Sequence, residues 1–352
     1  MASLQDIRRR IRSVRNTQQV TKAMKMISAV KLRKSQERLL AMRPFSAMLH
    51  NIIGQVVARF ESDTVFAENS LSEAFFSPRE EKNIHLVIIA SDKGLCGGFN
   101  ANLIKAVEAF FQEHSDQIAR YYLSHTHGSD LSDTGLSGNK LDFLTGLKAA
   151  RLSNSTTGSA SSVAGTRPSS FDSASLEKLG EGDIDVIGRR AAEWTKKVGI
   201  EPTFEVASLN PSEYMDTARK IAQKAAQGYA SGEIDALYAI YNYFSSAVSQ
   251  SPRVVRIFPL QEIPQPTSVQ YLLEPNMETV LNELLPHYIE TEIYRALLES
   301  STSEHAARMA AMDKATNNAG EMIDSLTLHM NKVRQAAITN QIIEVVSGAA
   351  AS

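Results

Sequence analysis

Six residues hold the densest potential chemistry in this chain. Lys93-Gly94-Leu95-Cys96-Gly97-Gly98, within "SDKGLCGGFN" (Ser91–Asn100), follow an apolar run and precede a helical pattern. Glycines at a strand-to-helix turn often cradle phosphate, because bare backbone N–H groups approach an anion there. The spacing argues against that use. A dinucleotide fingerprint needs G-x-G-x-x-G, and a P-loop needs Gly-Lys-Ser/Thr after its glycines. Here Lys93 precedes the glycines and Gly-Phe-Asn follows them. The loop therefore reads as a tight turn that lets backbone pass close to something. Cys96 is the single cysteine, so no disulfide forms within the chain. His125 and His127 lack the carboxylate or thiol company of a metal site and read as incidental. No nucleophile–base pair, paired catalytic carboxylates or metal-ligand spacing occurs, so no catalytic residue, metal or cofactor is expected.

The elements around this loop have two characters. The first segment, 1–60, is a long helix: Leu4, Ile7, Ile11 and Val14 recur at steps of three and four, Gln18 and Thr21 continue the stripe, and it then shifts to Met24 and Ile27. Pro44 is a candidate kink. The last segment, 277–352, repeats the pattern through Met309, Met312, Thr316, Ala319, Ile323, Leu326, Met330, Val333 and Ala337, a heptad seam with Pro286 as a candidate break. Some 70 helical residues make a rod of roughly 100 Å. Pairing the two ends with each other, antiparallel, is the economical arrangement. The middle, 80–265, alternates strands and helices. "IHLVIIA" suits a buried parallel strand, Asn100–Gln112 a helix, "DIDVIG" a strand and Arg189–Val198 a helix. "TFEVAS" is a third strand, Pro211 opens a helix to about Ser231, and "DALYAIYNYF" and "RVVRIFPL" close the set. The fold class is α/β: a long antiparallel coiled coil of the terminal helices plus a Rossmann-like middle domain. Within that domain, 115–182 is a Ser/Thr/Gly-rich tract that buries too little apolar surface to offset its ordering, and reads as a surface insertion.

Charge is unevenly placed. Residues 1–43 carry 12 Lys/Arg against Asp6 and Glu37, which leaves 25 basic and 37 acidic residues beyond. The basic face (Arg8, Arg9, Arg12, Arg15, Lys22, Lys25, Arg33) points to an acidic partner. The Arg-rich start has a transit peptide's composition, but its apolar spacing continues unbroken into the next forty residues, which a removable address would not need. No stretch approaches the roughly 20 apolar residues of a membrane span.

Three blocks carry a family resemblance. "RIRSVRNTQQVTKAMKMISAVKLRKSQ" (Arg10–Gln36), "SDKGLCGGFN" and "AARMAAMDKATNNAGEMIDSLTLHMNKVRQAAITNQIIEVVSGA" (Ala306–Ala349) resemble the signature blocks of the gamma subunit of rotary ATP synthases, in that family's order. "GRRAAEWTKKVG" is similar to its short block after the second strand. The resemblance implies a central rotor shaft without an active site. Its paired helices would stand inside a hexamer of three α and three β subunits, with the foot on the epsilon subunit and the membrane c-ring. Ion flow through the ring would then drive ATP synthesis. No nucleic acid is implied. The implied location is peripheral, on the cytoplasmic side of a bacterial inner membrane. By resemblance, Lys93, Gly94 and Cys96 face a β subunit, Arg308 grips a β loop with Gln335 and Thr339 as partners in that grip, Arg334 lies beside them, and Met24 lies against β. Tyr271 and Glu274 would meet the c-ring and epsilon. Thr339-Asn340-Gln341-Ile342 departs from the family's Thr-Gln-Glu-Leu and lacks its carboxylate. With Cys96 alone, a cysteine-pair switch of the chloroplast kind is excluded. The alternatives are a nucleotide-binding Rossmann-like protein with coiled-coil extensions, and a generic coiled-coil adaptor.

Overall fold

The computed structural model describes residues 4–58, 81, 83–114, 182–260, 274 and 277–351. In chain order the elements are α1 (Leu4–Ala58), β1 (Ile84–Ile89), α2 (Phe99–Glu113), β2 (Gly182–Ile187), α3 (Arg189–Val198), β3 (Pro202–Val206), α4 (Tyr214–Ala230), β4 (Ala236–Phe244), β5 (Gln250–Phe258) and α5 (Met277–Ala351). The tract from 115 to 181, with His125 and His127, lies outside the described residues, as does Tyr271.

α1 and α5 form the expected antiparallel coil. Cross-contacts run in opposite directions along the two helices. Thr21 Oγ1 lies 2.8 Å from Thr316 Oγ1, Lys25 Nζ 2.5 Å from Asp313, Ser35 Oγ 2.7 Å from Thr302 Oγ1, and Ser46 Oγ donates to Glu292 at 2.6 Å. The seam on α1 keeps a 3.5-residue period through Gln18, Thr21, Lys25, Ser28, Leu32, Ser35 and Leu39. This corrects the apolar stripe read through Ile27, which is 58% exposed while Ser28 is buried. Polar side chains hold the seam because the facing helix satisfies them. Such pairs cost stability against an apolar seam but specify one register. Lys25 is corrected in the same way: it belongs to the seam, not to the free basic face. Pro44 and Pro286 both sit inside continuous helices. Neighbouring elements packed along both helices carry them across the missing hydrogen bond.

The foot is a five-stranded sheet in the order β3-β2-β1-β4-β5, with β5 antiparallel at the edge. Alternation along β1 divides two cores. Ile84, Leu86 and Ile88 pack with Leu103, Val107 and Phe110 of α2 and Ala191 and Ala192 of α3. Val87 and Ile89 share the other core with α4 and with Leu39 and Ile53 of α1 and Leu281 and Ile289 of α5. The shaft is thus built into the foot's own core. α4 begins at Tyr214, three residues later than Pro211 implied, because the Glu213 carboxylate takes the backbone N–H and side chain of Asn210 and closes a turn there.

One ionic group lies inside that second core. His85 Nε2 lies 2.9 Å from Asp185 Oδ2, and Lys224 Nζ lies 2.9 Å from Asp185 Oδ1 and 3.3 Å from Asp183. Burial pushes the Asp185 carboxyl up. The His85 hydrogen bond and the charges of His85 and Lys224 outweigh it and hold the group below its ordinary value. A depressed folded-state value stabilises the fold above the unfolded pKa of about 4, and that increment disappears as pH falls through the lower folded value. Asp185→Asn is expected to cost about 3 kcal/mol near neutral pH. Urea unfolding followed from about pH 6 to about pH 2 checks this: the variant's stability should fall less steeply with acid than the wild type's. Equal slopes would refute the assignment.

Candidate partner interface

β1 runs straight into the glycine loop, and the loop staples itself. Ser91 N–H donates to Asn100 Oδ1 at 3.2 Å, and Ser91 Oγ lies 2.9 Å from both Asn100 Oδ1 and the Lys93 carbonyl. Asn100 Nδ2 donates to Cys96 Sγ at 3.3 Å. Cys96 is buried, and burial pushes its thiol above the ordinary value. Its side chain therefore supports the loop from inside rather than facing a partner. Gly97 has φ +60° and Leu95 has φ +65°. A leucine in the left-handed region costs about 1–2 kcal/mol that a glycine would not. Leu95 is the one non-glycine residue at positive φ among the described residues, and it is 61% exposed.

Arg308 locks the turn from α5. Its guanidinium donates to the Lys93 carbonyl at 3.1 Å, to the Gly94 carbonyl at 3.3 Å from both Nε and Nη2, and to Glu304 Oε1 at 2.6 Å. Burial pushes the Glu304 carboxyl above its ordinary value, and Arg308 offsets only part of that. His305 beside it is pushed down to about 4 by burial and by the charges of Arg308 and Lys31, so it is neutral near pH 7. The resemblance gave Arg308 a grip on another subunit. In the isolated chain its donors serve the chain's own loop.

The sheet topology shows what fills the place a nucleotide would use. β1 connects outward to β2 on one side, and the chain later returns to β4 on the other, so the carboxyl ends of β1 and β4 flank the switch point. In open α/β sheets ligands occupy that crevice. In this protein α5 fills it. Ser300 Oγ donates to the Ile89 carbonyl, Ser303 Oγ donates to the Asn242 carbonyl at 3.0 Å, and Phe244 N–H donates to Glu299 at 2.9 Å. The nucleotide-binding alternative loses its pocket to the shaft. What stays open beside the loop is a cleft of about 480 Å³ lined by Gly97, Gly98, Asn102, Ala311, Lys314 and Ala315.

Lys93, Gly94, Cys96 and Arg308 are thus brought together. The other sequence-derived residues are not. Met24 is half-buried on α1. Arg334, Gln335 and Thr339 are exposed on α5, 26 or more residues beyond Arg308. At 1.5 Å per residue that is roughly 40 Å, too far to act on one loop with Arg308. Glu274 is exposed. Two features went unread in the sequence. Val20, Met26, Ile27 and Val30 form an exposed apolar ridge on α1, and Leu95 crowns the glycine loop. Helical spacing carried the signal for the ridge. Glu304, four residues before Arg308, also had the spacing of a helical ion pair.

A stiff two-helix shaft docked into the ligand crevice of its own α/β foot defines a class: a mechanical subunit whose working surfaces lie on its outside. The ATP synthase family model matches residues 3–141 and 157–351. The chain is 43% identical over 353 residues to the ATP synthase gamma chain of Solibacter usitatus, covering 100% of both chains. It is 34% identical to that of Anaeromyxobacter sp. (strain Fw109-5), covering 100% of this chain and 99% of the relative. A chain in the Euglena gracilis mitochondrial ATP synthase structure (OSCP/F1/c-ring, rotational state 3) shares the fold, with a TM-score of 0.51 at 14% identity over 99% of this chain and 94% of that one. The chain belongs to the ATP synthase gamma chain family. It is a non-catalytic central rotor shaft. The one internal stretch that the family model leaves unmatched is 142–156, and the Solibacter relative pairs with this chain over its whole length, the low-complexity tract included.

Proposed function

We propose that this shaft turns inside a hexamer of three α and three β subunits, with its foot on the epsilon subunit and the c-ring. Rotation of the ring by ion flow then drives ATP synthesis at the β sites. The observation that carries this reading is the coil itself: α5, 75 unbroken residues, winds on α1 along most of its length and is rooted in the foot by buried polar contacts to β1 and β4. A rotor biases identical neighbours only by presenting unequal faces to them. The basic face of α1, the apolar ridge and the glycine loop supply that inequality. Lys93 and Gly94 at the loop, Met24 on α1, and Arg334, Gln335 and Thr339 on the upper shaft are its contacts to α and β, with Cys96 and Arg308 holding the loop. Tyr271 and Glu274 serve the foot. The site of action is the cytoplasmic side of a bacterial inner membrane, reached through the c-ring. Among the described residues no helix is long and apolar enough to cross a membrane.

Co-expression with the α, β and epsilon subunits of the same organism tests this. One shaft per hexamer should copurify, and hydrolysis should depend on it. The isolated chain should bind neither ATP nor NAD tightly. Stoichiometric nucleotide binding to the isolated chain, or failure to copurify, would overturn the reading.

A further inference from the structure

β5 bends just before it leaves the sheet. Tyr238 pairs with Arg256 and Leu237 with Phe258, so Ile257 is an extra residue, a bulge that re-aims the strand's end. Arg256 closes that bend. Its Nε donates to the Pro259 carbonyl at 2.9 Å, and its Nη1 donates to Glu81 Oε1 at 2.5 Å. Glu81 Oε2 accepts from the Tyr238 hydroxyl at 3.0 Å. Burial and the Glu81 charge push Tyr238 up to about 12, so that hydroxyl keeps its proton to donate. The Arg256 and Glu81 side chains are only 13% and 17% exposed. The sheet does not need this pair for its own pairing. β1 and β4 are in register from Ile84 opposite Ala236 to Ile88 opposite Ile240, and Asp235 accepts the Asn83 N–H at 2.7 Å. A mostly buried ion pair is seldom more stabilising than an apolar pair of its size, but a guanidinium fork fixes direction. What Arg256 holds lies outside the sheet: Glu81 precedes β1, and Pro259 follows β5. From Pro259 the chain runs through Tyr271 and Glu274 and enters α5 at Met277.

We propose that Arg256 is a positioning residue of the foot: locked by Glu81, it sets the angle at which the chain leaves β5 and so aims the segment carrying Tyr271 and Glu274 at the c-ring. Arg256 itself touches no partner. It acts through the Pro259 carbonyl, downstream of the bulge. The inference rests on the reading that Tyr271 and Glu274 serve the foot.

The double variant Glu81→Gln with Arg256→Met separates positioning from stability, because it removes the lock without stranding a charge and leaves Tyr238 an acceptor. Its thermal midpoint should stay within about 4 °C of the wild type. ATP hydrolysis by the soluble complex of α, β and shaft should change by less than about twofold, since the lock lies far from the coil's working faces. Affinity of the chain plus epsilon for the purified c-ring should fall about tenfold, and ions pumped per ATP by the reconstituted holoenzyme should fall with it. Arg256→Lys keeps a charge against Glu81 but loses the fork, and should lie between the two. Wild-type ring affinity in the double variant refutes the positioning role and leaves the foot reading standing. A large drop in thermal midpoint, or hydrolysis lost in step with ring affinity, would make the pair structural and overturn the proposal. Full ring affinity in Arg256→Lys would reduce Arg256 to a counter-ion for Glu81 and overturn it as well. If the wild-type chain with epsilon does not bind the ring, the foot reading falls too.

Discussion

Gly188→Ala is expected to lose at least about 4 kcal/mol of stability and to leave most of the protein insoluble. Gly188, between β2 and α3, has φ +97°, and a Cβ there would lie 2.3 Å from the Ala90 carbonyl oxygen and 2.8 Å from its carbon. Both obstacles are backbone, so no rotamer change clears them. Nor can the residue turn away. Its N–H donates to the Val206 carbonyl at 2.8 Å, and its own carbonyl accepts from the N–H groups of Ala191 and Ala192. The displaced segment, Ala90–Ser91, is the start of the glycine loop. Any fraction that folds should therefore also show weakened binding to the hexamer. Soluble yield, urea unfolding of the soluble fraction and its hexamer affinity measure these effects. A variant with near wild-type stability would show that the β2–α3 turn relaxes freely.

The second large effect is expected from Glu299→Ala. This carboxylate is fully buried, accepts from Arg43 Nε at 3.1 Å and Nη2 at 2.8 Å, and takes the Phe244 N–H. Arg43 Nη2 also donates to the Phe244 carbonyl at 2.9 Å. One side chain thus ties α1, α5 and β4. Removing it strands a guanidinium and a backbone donor and is expected to cost about 4 kcal/mol. The mechanical consequence is more specific. The joint carries load from foot to coil, so Glu299→Ala should lower coupled synthesis more than it lowers shaft binding. Glu299→Gln keeps the volume and one acceptor, and should fall roughly midway. Equal losses in binding and coupling would mean that the residue only stabilises the fold.

Much of the architecture was legible because hydrophobic period is local. The heptads of α5 and the apolar run of β1 announce themselves in a short window. The seam of α1 did not, since Ser28 and Ser35 are buried only because Thr302 and its neighbours face that stripe from some 270 residues away. The spacing argued against phosphate binding at the glycine loop; that α5 occupies the crevice could not be read from it. Leu95 was invisible for a further reason. Its backbone angle is imposed by Arg308, whose part in this turn depends on how the chain's end returns to its middle. Arg334, Gln335 and Thr339 share a helix with Arg308, and their distance from it follows from the rise per residue alone.

α5 continues past Leu4, the first described residue of α1, with Ile342, Ile343, Val345 and Val346 exposed. From about Ala337 onward, roughly 20 Å of it has no coil partner among the described residues. A beam that drops from two strands to one yields more at its slender end for the same applied moment. Elastic energy would therefore gather toward that slim extremity, while the doubled section near the foot rotates as nearly one solid piece. In such a shaft force would be delivered close to the base, with the summit as a pivot that centres the spindle.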